Sequence, residues 1–159
     1  MRKTNREIKD FNLICGILEK CQTARLGLFG DDYPYVVPLS YGYEAKDGKI
    51  TIYFHCATEG KKISLIEKNN RACVELDVLN GYVDTGRSVT ADYESVICFG
   101  KVYRCDGEEK IKGLRLLLEH TGYNSYSAEQ CAAMPIVSVY KFQSDCFTGK
   151  SRFEKQYSE

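Results

Sequence analysis

The sequence has 159 residues, a length that suits one domain of ordinary size. Hydrophobic residues make up 43% of the chain, enough for a folded core, so the composition excludes wholesale disorder. The 22 basic and 22 acidic residues cancel, which gives no electrostatic basis for binding nucleic acid or an anionic membrane surface. No apolar run approaches the roughly 20 residues of a membrane-spanning helix, and the polar N-terminus lacks the apolar core of a signal peptide. We therefore expect a cytoplasmic protein with a single domain over residues 1–159.

Eight cysteines and two histidines bear on metal and disulfide chemistry. No two cysteines have the C-x-x-C spacing, and with so few histidines we expect no structural zinc or other metal site. Without a secretory signal, the cysteines are interpreted as reduced thiols, several of them small core residues on strands.

The first predicted element is a helix over about residues 5–20. Thr4 and Glu7 have the spacing of a capping box, and the apolar residues that follow recur at helical spacing. A short strand is predicted over residues 24–29, and a turn begins at Gly30.

Residues 33–43 alternate as in a half-buried strand, with Tyr35, Val37 and Leu39 on one face. Pro38 cannot donate to a strand ladder, so this strand is predicted to lie at an edge, to be bulged, or to lie beside something other than a strand. A flat ligand along it would meet the backbone groups that Pro38 leaves free, whereas the simpler alternative is an ordinary edge strand. Gly42 would permit close approach of another backbone or of a ligand.

The stretch over residues 53–62 is the most informative one in the chain. It begins as a strand and becomes a helix, for which Thr58 is a plausible N-cap. Lys61 and Lys62 add positive charge in the opening turns of that helix, where the macrodipole already favours acidic residues. An anion held by the backbone N–H groups and the two ammonium groups would balance this excess of positive charge. The alternative is two solvated surface lysines balanced by Glu59.

The rest of the chain is predicted to be mainly strands. Asp47-Gly48 indicates a hairpin turn. The remaining predicted elements are a strand over 71–78, a long polar loop over 79–92 with a functional or interface role, a strand over 93–104, a helix over 106–122, a strand over 135–147 and a polar tail from 148. Strands and helices do not alternate regularly, so we predict a mainly β fold: an antiparallel β-barrel over about residues 22–147 with peripheral helices.

The two histidines receive different interpretations. His120 lies at the predicted C-terminus of a helix, where a cationic side chain is stabilised, so it is interpreted as structural. His55 lies at the end of a strand next to the proposed anion site. It is a candidate ligand contact, proton donor, or haem or metal ligand, although a lone histidine commonly has none of these roles.

Several segments resemble the FMN-binding split-barrel proteins, in particular the pyridoxamine 5'-phosphate oxidase-like family and its NimA/NimC nitroimidazole-resistance subgroup. The segment that contains His55 and Lys62 and the segment Tyr93-x-Ser-Val-Ile are specific matches. The resemblance covers nearly the whole chain, in residues 24–28, 33–43, 53–62, 93–102 and 148–150.

The resemblance implies a six-stranded antiparallel split barrel that forms a homodimer, with FMN in a groove at the dimer interface. The isoalloxazine ring would lie along one strand, at Val37, Pro38, Leu39 and Ser40. This would account for the proline in that strand.

The same resemblance assigns the phosphate to Lys61 and Lys62, which the anion argument reaches independently. His55, Cys56 and Ala57 would pass beneath the ribityl chain of the flavin.

Ser95 and Val96 would support the site from the strand after the long loop. The loop over 79–92 and the C-terminal tail are the candidates for stacking aromatic groups contributed by a second subunit.

The activity that the resemblance implies is an FMN-dependent oxidoreductase that reduces a small electrophile, such as a nitroimidazole or another nitroaromatic compound. His55 matches the active-site histidine of the family and is the candidate proton donor or substrate contact. The arginine-rich phosphate contacts of a true pyridoxamine phosphate oxidase are missing, so that activity is disfavoured. The alternative is a flavin- or haem-binding module for storage or sensing without turnover, with His55 as the axial ligand in the haem case.

Overall fold

A computed structural model of the chain describes residues 4–130 and 136–152. The helices are α1 (Phe11–Lys20), α2 (Lys61–Lys68) and α3 (Gly107–His120). The strands are β1 (Glu7–Ile8), β2 (Ala24–Leu28), β3 (Tyr35–Leu39), β4 (Gly42–Lys46), β5 (Lys49–Ala57), β6 (Arg71–Asp84), β7 (Val89–Cys105) and β8 (Val137–Ser151). None of the described helices combines the length and the apolar content needed to cross a membrane.

The strands form one antiparallel sheet in the order β3-β2-β6-β7-β8-β5-β4, and β1 pairs with β8. The two ends of this order, β3 and β4, follow each other in the chain and are joined by Ser40 and Tyr41 alone. A connection that short spans at most about 11 Å, so the sheet must curl until its edges approach each other. This confirms the predicted mainly β fold with peripheral helices.

The described part of the sheet has eight strands instead of the six predicted. The predicted strand over residues 33–43 is divided into β3, which pairs with β2, and β4, which forms the expected hairpin with β5 across Asp47-Gly48. Residues Glu7–Ile8 supply the other additional strand.

The interior of the curled sheet is a single apolar core. Leu26, Leu76 and Phe142 are fully buried there, and each buried aliphatic or aromatic side chain contributes about 1.5–3 kcal/mol. Helices α1 and α2 add their apolar faces to this core. Helix α3 packs on the outside of the barrel over a smaller cluster that contains Tyr53 and Val139.

The N-terminal helix begins later than predicted, at Phe11. Asp10 is its N-cap, and the carboxylate of Asp10 accepts a hydrogen bond of 2.8 Å from the backbone N–H of Asn12. Residues 4–6 form one 3-10 turn, and Glu7–Ile8 pair with β8. The predicted capping box, and the start of the helix near residue 5, are therefore wrong.

The predicted long loop over residues 79–92 is also wrong, because β6 and β7 continue through it as a two-stranded ribbon. The turn at its tip is closed by a hydrogen bond of 2.9 Å from the N–H of Thr85 to the carbonyl oxygen of Ser88. A bulge next to Gly81, where φ is 132°, shifts the register. Gly81 and the polar residues around it obscured the strand alternation in the sequence.

The last strand extends past the predicted start of the polar tail. Residues 148–151 belong to β8 and pair with β7. Pro135 and the C-terminal residues from 153 onwards lie outside the described residues.

Two predicted features are explained by packing around α3. A Cβ atom at Gly42 would lie 2.3 Å from the carbonyl carbon of Leu116, so the glycine admits the helix backbone and not a ligand. His120 ends α3 as expected. Its Nδ1 lies 2.9 Å from the carbonyl oxygen of Tyr41, and its Nε2 lies 3.2 Å from that of Leu18. These contacts tie α3 to α1 and to the connection between β3 and β4, and they support the structural interpretation of His120.

Candidate functional site

The candidate site lies where the two edges of the curled sheet meet. Strand β3 is one of these edges and pairs only with β2 among the described strands, as the position of Pro38 predicts. Val36, Pro38 and Ser40 are exposed, whereas Val37 and Leu39 are half-buried against the core. A ligand along this strand would therefore meet the side chains of Val36, Pro38 and Ser40 and the free edge of the backbone.

Strand β5 brings His55, Cys56 and Ala57 to the same junction. Gly42 of β4 pairs with Tyr53 of β5, and this register, continued by two residues past the end of β4, would put Ser40 opposite His55. The chain leaves β5 at this point to enter β3. His55 is therefore exposed beside the gap between the two sheet edges.

Helix α2 follows β5 and begins with Gly60 as its N-cap, where φ is 136°. Thr58 is not the cap, so that prediction is wrong. Glycine is favoured at Gly60 because other residues rarely adopt this backbone conformation. No side chain caps the helix and no acidic residue lies in its first turn. The orphan N–H groups and the positive end of the dipole therefore coincide with Lys61 and Lys62.

The two lysines extend α2 toward both strands. The Nζ atom of Lys61 lies 5.7 Å from the ring centroid of Tyr35 on β3. The Nζ atom of Lys62 lies 5.5 Å from the ring centroid of Phe54 on β5. Lys61 is exposed and Lys62 is half-buried. The start of α2 thus bridges β3 and β5, the strands that carry most of the other predicted site residues.

The electrostatics of the junction decide the protonation states of its side chains. Although the His55 side chain is exposed at the surface, the surrounding protein atoms withdraw its ring in part from water, which lowers its pKa, and the positive charge of Lys62 lowers this pKa further. The imidazole is therefore mainly neutral at pH 7. Partial burial raises the pKa of Cys56, and Lys62 offsets part of that rise. Cys56 consequently remains a thiol and is a poor nucleophile.

The structure does not bring Ser95 and Val96 to this junction. Both lie on β7, where Ser95 pairs with Lys150 of β8, whereas His55 of β5 pairs with Val139, eleven residues earlier on β8. At about 3.3 Å per residue, this offset along β8 is about 36 Å. The side chain of Val96 is fully buried in the core. Ser95 faces outward between Asp77 and Lys150.

A cleft of about 780 Å³ lies on the outer surface of the sheet, beside the segment that leads into β3. None of the residues predicted to bind FMN lines it; its walls include Phe29, Tyr33 and Phe99. Sequence reasoning missed these residues. The sequence of β7 could have indicated them, because apolar residues occupy both faces of this strand. Cys98 points into the core, and Phe99 points outward.

Comparisons with known proteins identify the family of the chain and several solved structures with a similar fold. The sequence profile described as pyridoxamine 5'-phosphate oxidase matches residues 13–151. No curated protein matches the chain.

Among solved structures, a candidate 5-nitroimidazole antibiotic resistance protein from Bacteroides thetaiotaomicron VPI-5482 is 32% identical, with a TM-score of 0.78. The alignment covers 91% of this chain and 85% of that protein. An FAD- and haem-binding protein from Mycobacterium smegmatis is 16% identical, with a TM-score of 0.79 and coverage of 96% and 77%. A flavocytochrome from Azotobacter vinelandii is 16% identical, with a TM-score of 0.77 and coverage of 100% and 75%. At 16% identity, the last two similarities show the fold alone.

Proposed function

Because the chain belongs to the pyridoxamine 5'-phosphate oxidase family, we propose that it binds FMN and transfers electrons from the reduced flavin to a small electrophile, a nitroimidazole or another nitroaromatic compound. One observation carries the proposal: an uncapped helix start, two lysines and His55 of β5 converge beside the edge strand β3. The 32% identity with the candidate 5-nitroimidazole resistance protein supports the choice of electrophile.

The residues at the junction fit the phosphate of FMN. The first turn of α2 offers N–H groups that no side chain caps, together with the ammonium groups of Lys61 and Lys62. An anion there would satisfy the N–H groups and balance a local excess of positive charge. We propose that these groups hold the phosphate and that Lys62, being half-buried, contributes more than Lys61.

The edge strand β3 is the proposed support for the isoalloxazine ring. Val37, Pro38, Leu39 and Ser40 present a free backbone edge and a surface without large outward side chains. We propose that His55, Cys56 and Ala57 flank the ribityl chain, because β5 delivers them between β3 and α2. FMN, when bound, supplies the redox chemistry, and this part of the chain binds it, orients it and limits the access of water.

His55 is the proposed proton donor or substrate contact. The His55 side chain is exposed, and no hydrogen bond to its ring occurs within the described part of the chain. The neutral ring keeps one N–H group that can donate to a substrate oxygen. The cationic fraction, which can release a proton, increases as the pH falls toward the lowered pKa of His55.

We propose that the protein acts as a homodimer with the flavin near the interface, as the family membership suggests. The ribbon formed by residues 79–92 exposes Leu79, Tyr82 and Val89, and it pairs with no other described strand beyond Leu79 and Tyr93. An isolated two-stranded ribbon is marginally stable in water, so a second copy would stabilise it. Ser95, which is remote from the site of its own subunit, would then support the site of the other.

The first experiment is the visible spectrum of the purified protein before and after addition of FMN. Flavin absorbance bands, or tight uptake of FMN, support the proposal. Reduction of a nitroaromatic compound in the presence of a reductant then separates an enzyme from a storage or sensing module that retains flavin without turnover. Failure to bind any flavin would refute the oxidoreductase proposal.

Haem binding is the second candidate, favoured by one observation. The His55 ring is exposed and has no hydrogen-bonded protein partner among the described residues, so one of its nitrogens is free for an axial bond to iron. A Soret band after addition of haem, lost in His55→Ala, would support this candidate. Flavin uptake with no Soret band would exclude it.

A further inference from the structure

We propose that the cleft beside β3 is a second ligand site, separate from the proposed flavin site, which binds a flat aromatic anion. The cleft lies between the outer surface of β2, β6 and β7 and the segment over residues 29–34. Its volume of about 780 Å³ is in the range of pockets for small organic molecules. The junction residues assigned to the flavin lie outside it.

The walls of the cleft are aromatic side chains that have no protein cover. Phe29 is 58% exposed, Tyr33 is 83% exposed and Phe99 is 52% exposed. Rings of this size are normally buried, and an exposed group of them in a concave site marks a binding surface. Aromatic walls favour a flat ligand because it can stack on the rings.

The charges of the cleft select an anion. Arg71 of β6 and Lys101 of β7 are directly opposite each other in the sheet register, and both line the cleft. Like charges at directly opposite positions destabilise a sheet. Neither cation forms an ion pair within residues 4–130 and 136–152. Asp32 is the one acidic residue in the lining, so the cations exceed the acidic groups by two to one.

The geometry of Arg71 connects the charged and aromatic parts. Its guanidinium carbon lies 5.2 Å from the ring centroid of Phe29, within the range of a cation–π contact. A guanidinium held against a ring can donate paired hydrogen bonds to a carboxylate or phosphate. A ligand with a ring and an anionic group would therefore use both parts of the cleft at once.

A second copy of the chain is the competing occupant of this apolar surface. The two cations argue against it. An apolar surface docked over Arg71 and Lys101 would remove both from water without supplying a negative charge, and uncompensated buried charges are strongly unfavourable.

The test is isothermal titration with 2-naphthoate and with 2-naphthamide, which has the same ring system and no charge. Saturating FMN is present throughout, so that binding at the junction does not contribute. We expect naphthoate to bind more tightly than naphthamide. Lys101→Gln should weaken naphthoate binding by about two- to fivefold, as for one exposed ionic contact, and leave naphthamide binding unchanged.

Two further variants distinguish binding in the cleft from a general effect of protein charge on ligand affinity and test the contribution of the aromatic wall. Lys46→Gln removes an exposed lysine from the β4–β5 hairpin and should change neither affinity. Phe99→Ser should weaken both ligands. The thermal midpoint of the unliganded Lys101→Gln variant should not fall, because this substitution removes a like-charge contact.

Two results would overturn the proposal. Equal affinities for naphthoate and naphthamide, or an unchanged naphthoate affinity in Lys101→Gln, would show that the cations select no anion. Naphthoate binding that disappears as the protein dimerises with rising concentration, followed by sedimentation, would assign the cleft to a second copy of the chain.

Discussion

Replacement of Lys62 by alanine tests the proposed phosphate site most directly. The Lys62 side chain is half-buried and lies at the uncapped start of α2. Two unit charges 4 Å apart interact by about 4 kcal/mol at an effective dielectric constant of 20. Desolvation of the ammonium group and screening by salt reduce this value. A net loss of about 1.5–3 kcal/mol is typical for a hydrogen bond to a charged group.

This loss corresponds to a rise of about tenfold to 150-fold in the Kd of FMN. The assay is the quenching of flavin fluorescence on titration with protein at low ionic strength. Lys61→Ala should have a smaller effect, of about two- to fivefold, because the Lys61 side chain is exposed and its charge is better screened.

Riboflavin is the matched control ligand, since it has the ring and the ribityl chain of FMN without the phosphate. Lys62→Ala should leave its affinity nearly unchanged. If both flavins were weakened equally, Lys62 would act on the ring or on the fold, and the phosphate assignment would be wrong. An unchanged FMN affinity would remove Lys62 from the site altogether.

Further predictions concern His55 and two glycines. His55→Ala should retain FMN and reduce a nitroaromatic compound more slowly, and unchanged turnover would remove His55 from the catalytic role. The pKa of His55 is lowered in the folded state, so the unfolded chain binds more protons, and His55 should destabilise the fold as the pH falls below about 6.5. Urea unfolding at pH 7.5 and at pH 5.5 measures this effect. The free energy of unfolding should fall less between the two pH values in His55→Gln than in the unmodified protein. Gly42→Ala should lower the free energy of unfolding by at least about 1–3 kcal/mol, because its Cβ would overlap the backbone of Leu116. Gly16→Ala, in α1 with open space around it, should instead raise it by about 0.5–1 kcal/mol, and equal effects of the two glycine substitutions would refute the packing argument.

The sequence was sufficient where local rules and tertiary packing agree. Pro38 cannot donate a ladder hydrogen bond, and it lies on an edge strand. Asp47-Gly48 marks a hairpin, and Asp47 has the positive φ of 52° that such turns require. The lysines after Gly60 predicted an excess of positive charge at the start of a helix. The structure has this excess, because α2 has neither a side-chain cap nor an acidic residue in its first turn.

The errors arose where distant contacts override local signals. Thr4 and Glu7 have the spacing of a capping box, but Glu7–Ile8 gain a strand partner in β8, which lies about 140 residues further along the chain, at Gly149 and Lys150. The ribbon over residues 79–92 contains too many polar residues and glycines for a strand pattern. It forms because the pairing of β6 with β7 continues outward from a segment that is already fixed in the barrel.

The position of the candidate site follows from how this sheet closes. A sheet that closed completely through hydrogen bonds would leave no free backbone edge for a ligand. Here the closure is covalent instead, through Ser40 and Tyr41 between β3 and β4, so the edge of β3 remains unpaired within the described residues. The chain then returns along β5 to the same gap and starts α2 there, which places His55 and the positive helix end beside that edge. The topology alone therefore creates a strip of free backbone next to the proposed anion site. That combination suits a long flat cofactor with a terminal phosphate, and it explains why the proposed site residues come from three separate elements.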